Sequence, residues 1–255
     1  MQLSPSGFVA TAAAGLAAGL VNALAGGGSL ISFPVLTALG LPGVIANASN
    51  SVALSPGYGG AALAQRRDLR GQKPRLLWLM PAAALGGLLG AWLLLSSGER
   101  LFRSLVPWMI LLGALLLALQ EPLGAWLPGR RQGQESSVRE AWSLLPVLLA
   151  SIYGGYFGAG LSVILLAVLG LCLEDSLPRL NGLKQAIALA ANLSASLLFL
   201  GLGRIEWTAT LVLALGAIAG GALGGRLASR IDPALLRRLV IGTSVVVAVL
   251  FFLQG

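Results

Sequence analysis

The chain has 255 residues, of which 56% are hydrophobic and only 10% charged, with a mean hydropathy of +0.86; a water-soluble domain of this length carries about 25% charged residues, so this surface has to face lipid. The net charge of +8 does not point to nucleic acid: no Lys or Arg precedes Arg66, and the basic residues then cluster in gaps between apolar runs, which is how a membrane protein fixes its orientation. One cysteine, Cys172, and no histidine exclude a disulfide framework and a four-thiolate metal site, and no cofactor is expected.

The first residues, Met1 to Phe8, lack the positive flank of a secretory signal and read as the start of the first helix. Apolar runs follow at 7–25, 29–40, 43–64, 76–97, 101–120, 141–157, 160–172, 182–203, 207–226 and 234–253. A span takes about 20 apolar residues, so the expected fold is an all-α polytopic membrane protein with roughly eight to ten spanning or partly spanning helices.

The second run, 29–40, is too short to span upright and is preceded by Ala25-Gly26-Gly27-Gly28-Ser29. Glycine costs about 1 kcal/mol per residue in a helix interior, so the cluster favours a break. Freed backbone groups at membrane depth are tolerated only against protein or a water-filled cavity, and the start of a helix attracts anions. The plainer reading is close helix packing.

In the third run, Asn47, Asn50 and Ser51 share one helix face at i, i+3 and i+4. Buried amides must find partners or face water, so they form either interhelical hydrogen bonds or a polar lining. Pro56, followed by Gly57-Tyr58-Gly59-Gly60, predicts a kink that serves as a hinge or as a packing feature. Gly86, Gly87 and Gly90 stand at small-residue spacing that reads as helix packing.

The polar stretch from Leu127 to Glu140 reads as a linker. It divides the chain into a first repeat, 1–126, a cytoplasmic linker, 127–140, and a second repeat, 141–255. Beyond it, Phe157-Gly158-Ala159-Gly160 precedes the short run 160–172, as the first glycine cluster precedes 29–40. Asn181, Lys184 and Gln185 repeat the spacing of Asn47, Asn50 and Ser51, and Asn192 extends that face. A lysine deep in a bilayer costs about 2.5–3.5 kcal/mol; Lys184 either snorkels to the interface or supplies positive charge to a cavity. Gly220, Gly221, Gly224 and Gly225 again read as packing glycines.

Correspondences at a shift of about 134 residues recur in order: Leu85-Gly-Gly-Leu-Leu-Gly90 with Ala219-Gly-Gly-Ala-Leu-Gly224, and Leu101-Phe-Arg103 with Leu235-Leu-Arg237. Repeats are therefore expected. Each half holds five apolar runs, an odd number, so the second copy enters the membrane inverted. The gap 65–75 carries five basic residues and one acid, whereas its counterpart near Arg204 and Glu206 carries one of each. The nearly balanced gap 98–103 faces Arg226, Arg230, Arg237 and Arg238 in the other copy. Positive charge marks cytoplasmic loops, which puts the gap 65–75 inside and both termini outside. Short interrupted segments at matching places of two halves are a sequence pointer to a transport site.

Gly19-Leu-Val-Asn22-Ala-Leu-Ala-Gly26-Gly27-Gly28-Ser29, then Ala46-Asn47-Ala-Ser-Asn50, resembles the first-half signature of the TauE/SafE sulfite-exporter (toluene sulfonate uptake permease) family; Gly154-Gly-Tyr-Phe-Gly158-Ala-Gly160 with Asn181-Gly-Leu-Lys184 is similar to its second-half form. The resemblance covers nearly the whole chain. It implies proton-driven movement of sulfite, sulfonates, sulfoacetate or related small anions across the bacterial inner membrane, without choosing between export and uptake.

The expected function is thus a secondary anion transporter working by alternating access, with a passive anion channel as the alternative. The substrate site is expected at Asn22, Gly26, Gly27, Gly28, Ser29, Asn47, Asn50 and Ser51 of the first half and Gly158, Gly160, Asn181, Lys184 and Gln185 of the second. Partners are the anion, the lipid bilayer and protons as coupling ion. The sequence leaves open whether the chain acts singly or as a homo-oligomer. No nucleophile–base pair or metal set is visible, so no enzyme is expected, and no Gly-x-x-x-x-Gly-Lys-Ser/Thr loop for ATP occurs.

Overall fold

The computed structural model describes residues 4–24, 27–126, 143–202, 205–227 and 233–254, and these form helices joined by turns. The expected linker, 127–140, and Gly26, Arg204 and Arg230 lie outside the described residues. The helices are α1 (Pro5–Leu24), α2 (Ser29–Ala38), α3 (Gly43–Ala64), then a stretch Lys73–Trp126 that Gly98 divides into α4 (73–97) and α5 (99–126). Gly98 adopts φ 73° and ψ 166°, a backbone that favours glycine. There follow α6 (Leu144–Tyr156), α7 (Leu161–Cys172), α8 (Leu177–Gly201), α9 (Trp207–Leu227) and α10 (Pro233–Gln254). No strand occurs among the described residues.

Pro5–Leu24, Lys73–Leu119, Leu177–Gly201, Trp207–Gly224 and Ala234–Leu253 are long and apolar enough to cross a membrane. The chain is a multi-pass membrane protein. α3 is long enough, with 22 residues, but its polar face keeps it out of that set. Its first half, Gly43 to Leu54, is largely buried in protein instead.

Both expected breaks are present. α1 stops at Leu24 and α2 is only 10 residues long; α6 and α7 have 13 and 12. The positive φ angles of Gly27 (86°), Gly158 (81°) and Gly160 (78°) mark the turns, which a side chain would strain. The expectation for 182–203 is corrected at its start. Pro178 stands in the first turn of α8, where its missing N–H costs nothing, so the helix begins at Leu177 and Lys184 lies two turns inside it.

Without a hydrophobic drive between helices in lipid, association rests on close van der Waals packing, and the glycines supply it. A Cβ at Gly87 would strike the Ala191 carbonyl of α8, and one at Gly90 the Ile152 carbonyl of α6. On the opposite pair, a Cβ at Gly220 of α9 would strike the Leu16 carbonyl of α1, and one at Gly19 the Ala217 carbonyl. Gly221 differs: its nearest neighbour, the Gly19 oxygen, is 3.9 Å away. α1 thus packs on α9 and α6 on α4, while α3 lies against α8 and α5 against α10. An edge-to-face aromatic cluster ties the broken segments to this frame: Phe33 of α2 meets Phe102 of α5 at 6.0 Å and Phe157 of the second break at 5.4 Å.

Candidate functional site

α3 and α8 run antiparallel, because the residue that ends α3 meets an early one of α8. Asn181 Nδ2 donates to Gln65 Oε1 at 3.0 Å. Midway along both helices, Ser55 Oγ donates to Asn192 Oδ1 at 2.6 Å and lies 2.9 Å from Ser196 Oγ. This serine–asparagine knot was not in the expected site, although Asn192 stood on the right face. Ser55 is invisible to residue type alone, since a helical serine usually satisfies itself. It does so here as well, by bonding the Ser51 carbonyl at 3.0 Å.

The first break is held by its own side chains. Asn22, near the end of α1, accepts the Gly28 N–H on Oδ1 at 2.8 Å. Buried Ser32, one turn into α2, donates to Asn50 Oδ1 at 2.5 Å and to the Gly28 carbonyl at 3.2 Å. The Gly28 amide, expected to meet an anion, is therefore occupied by Asn22. Ser29 opens α2 and is half-buried. Ser32 escaped notice in the sequence because its partner lies 18 residues away.

At the second break, Tyr153 Oη donates to the Ala159 carbonyl at 2.6 Å, which stabilises the turn through Gly158 and Gly160. Asn47 crosses from the first half to this break: its Nδ2 donates to the Tyr156 carbonyl at 2.9 Å. Asn47 is 1% exposed, and its Oδ1 is a buried acceptor without a partner among the described residues. The two breaks flank one turn of α5. A Cβ added at Gly113 would lie 3.1 Å from Leu30 of α2 and 3.3 Å from the Ala159 methyl, and Gly27 faces Leu117 on the same helix.

Lys184 stands apart from these bonded groups. It is 8% exposed, and among the described residues no carboxylate or hydrogen-bond acceptor is paired with its ammonium. It does not snorkel along a free surface; it is enclosed by protein. Gln185 beside it is half-buried, and Ser51 is buried on α3.

The helix ends nearest Lys184 carry a charged network that links the halves. Arg75, at the start of α4, contacts Asp175 at 2.5 Å, and Arg179 holds the other carboxylate oxygen at 2.8 Å. Gln72 Nε2 donates to the carbonyls of Asp68 and Arg179, and Arg179 Nη1 to that of Arg70. At the other end of α3, the Glu99 carboxylate accepts the N–H groups of Gly43 (2.6 Å) and Val44 (3.0 Å), capping that helix from a distance.

The family model described as "Sulfite exporter TauE/SafE" matches residues 11–251. The chain is 28% identical over 233 residues to a Haemophilus influenzae protein called "Probable membrane transporter protein", covering 89% of this chain and 87% of that one. A Sinorhizobium protein with a similar designation is 26% identical over 243 residues, covering 91% and 87%. The Escherichia coli "Probable membrane transporter protein YfcA" is 26% identical over 240 residues, covering 91% and 84%. No significant match was found among the solved structures.

Proposed function

Because the chain belongs to the sulfite exporter TauE/SafE family, we propose that it is a secondary transporter carrying small sulfur-containing or organic anions across the bacterial inner membrane, driven by protons, by alternating access between two inverted halves. The single observation that carries this reading is Lys184, enclosed in α8 without a paired carboxylate or acceptor among the described residues. An uncompensated buried cation is costly, and a bound anion removes that cost.

The ties at the two breaks fit a gate better than a preformed cage. The Gly28 amide becomes available to an oxyanion oxygen when Asn22 Oδ1 moves away. The orphan Asn47 Oδ1 accepts from a protonated anion or a water that accompanies it. The exchange of packing partners, α1 on α9 and α6 on α4, supports two halves related by inversion. Rocking of one against the other would then exchange the charged network at Arg75 and Asp175 for contacts at the far end.

The test is a thermal-shift panel of sulfite, sulfate, thiosulfate, taurine, sulfoacetate and acetate on purified protein, since a binder stabilises the fold in proportion to its occupancy. Lys184→Ala should abolish the shift while the protein still inserts and elutes as a folded species. Unchanged affinity for every anion bound by the parent would sink the role given to Lys184. In proteoliposomes, accumulation of the anion against its own gradient under an imposed pH difference separates a coupled transporter from a passive channel.

A further inference from the structure

At the end of the molecule where the α2–α3 turn, the Gly98 break and the end of α10 lie together, a cavity of about 730 Å³ opens between α2, α5 and α10. Its walls change character with depth. Thr37, Arg100, Arg103 and Ser104 line it at the helix ends, and Phe33, Val106, Pro107 and Val247 line it about one turn further in. Leu250 and Phe251 close the side toward α10. Arg103 shares the Glu99 carboxylate at 3.4 Å, but that carboxylate already serves the two amides of α3. Arg100 is exposed and has no paired carboxylate among the described residues.

We propose that this cavity binds an anionic phospholipid, its phosphate between Arg100 and Arg103 and one acyl chain in the groove between Phe33, Val106 and Val247. The volume lies within the roughly 300–1,000 Å³ of small-molecule sites. The order of the lining matches a lipid from head to tail: guanidinium groups and hydroxyls at the helix ends, hydrocarbon beneath. Guanidinium forks suit phosphate oxygens. A soluble anion would leave the apolar depth of the groove empty.

The experiment is native mass spectrometry of the full chain released from mixed phosphatidylglycerol and phosphatidylcholine bilayers. Phosphatidylglycerol should be retained selectively. Arg100→Gln and Arg103→Gln should each cut that preference about fivefold, equivalent to ~1 kcal/mol per basic residue. Val247→Trp should expel the lipid with both arginines intact. Because all these side chains are exposed or half-buried, a folded elution profile is expected for each variant. Equal retention of phosphatidylcholine, an unchanged preference in Arg100→Gln/Arg103→Gln, displacement by inorganic phosphate, or dimers lost on Val247→Trp would each overturn the assignment.

Discussion

Ser55 of α3 and Asn192 of α8 meet at 2.6 Å in the middle of the antiparallel pair that joins the two halves. Each comes from a different half, and Ser196 closes the knot at 2.9 Å from the same hydroxyl. Such bonds between membrane helices contribute about 0.6 kcal/mol on average and up to about 1.7 kcal/mol. A double-mutant cycle of Ser55→Ala and Asn192→Ala should return a coupling energy in that range by thermal unfolding in detergent. Additive effects would show that the contact does not hold the halves.

Asn22 fixes the start of α2 through one bond to the Gly28 amide. Asn22→Ala should leave that amide without its acceptor, costing about 1–3 kcal/mol where it is buried. Asn22→Asp should keep the bond but place a negative charge at the break. We expect the alanine variant to melt earlier yet still bind anion, and the aspartate variant to lose anion binding, read by the thermal-shift panel.

Two glycine classes should respond with opposite sign. Gly87→Ala drives a methyl into the Ala191 backbone carbonyl, and backbone cannot yield as a flexible side chain does. Overpacking of this kind typically costs 1–3 kcal/mol. Gly60→Ala meets nothing within 4 Å among the described residues and gains up to about 1 kcal/mol of helix propensity. Melting temperatures of the two variants in one detergent check both signs together.

Asp175 links pH to stability. Burial raises its pKa, but bonds from Arg179, the Ser176 amide and Arg75 outweigh that and hold the carboxyl below its usual value of 3.8. A folded-state pKa depressed below the unfolded one gives stability that is present above the unfolded value and lost as pH falls through the folded one. The parent should therefore lose thermal stability on acidification below about pH 4. Asp175→Asn, less stable at neutral pH, should show a flatter acid limb in melting curves taken across that range.

The positions of the breaks were legible because glycine clusters next to runs too short to span leave few other readings, and the structure stops α1 at Leu24 and turns at Gly158 and Gly160 as expected. The packing role of Gly86, Gly87 and Gly90 was equally plain from spacing. The polar face of α3 and α8 was visible too, but not what it does. Asn22, Asn47, Asn50 and Asn181 each spend a side-chain atom on an internal bond, and their partners are Ser32, Gln65 and two backbone groups that no periodicity singles out.

Composition and periodicity alone determined that this chain is a bundle of membrane helices with two interrupted segments, because hydropathy and helix propensity are local properties that the bilayer reads directly. Only the tertiary structure decided that Lys184 is enclosed rather than snorkelling, that the Gly28 amide is already occupied, and that Arg75 reaches Asp175 across the halves. Those outcomes depend on which residues distant in the chain share one small volume, and a hydrogen bond or an ion pair exists only where a few ångströms of three-dimensional packing allow it.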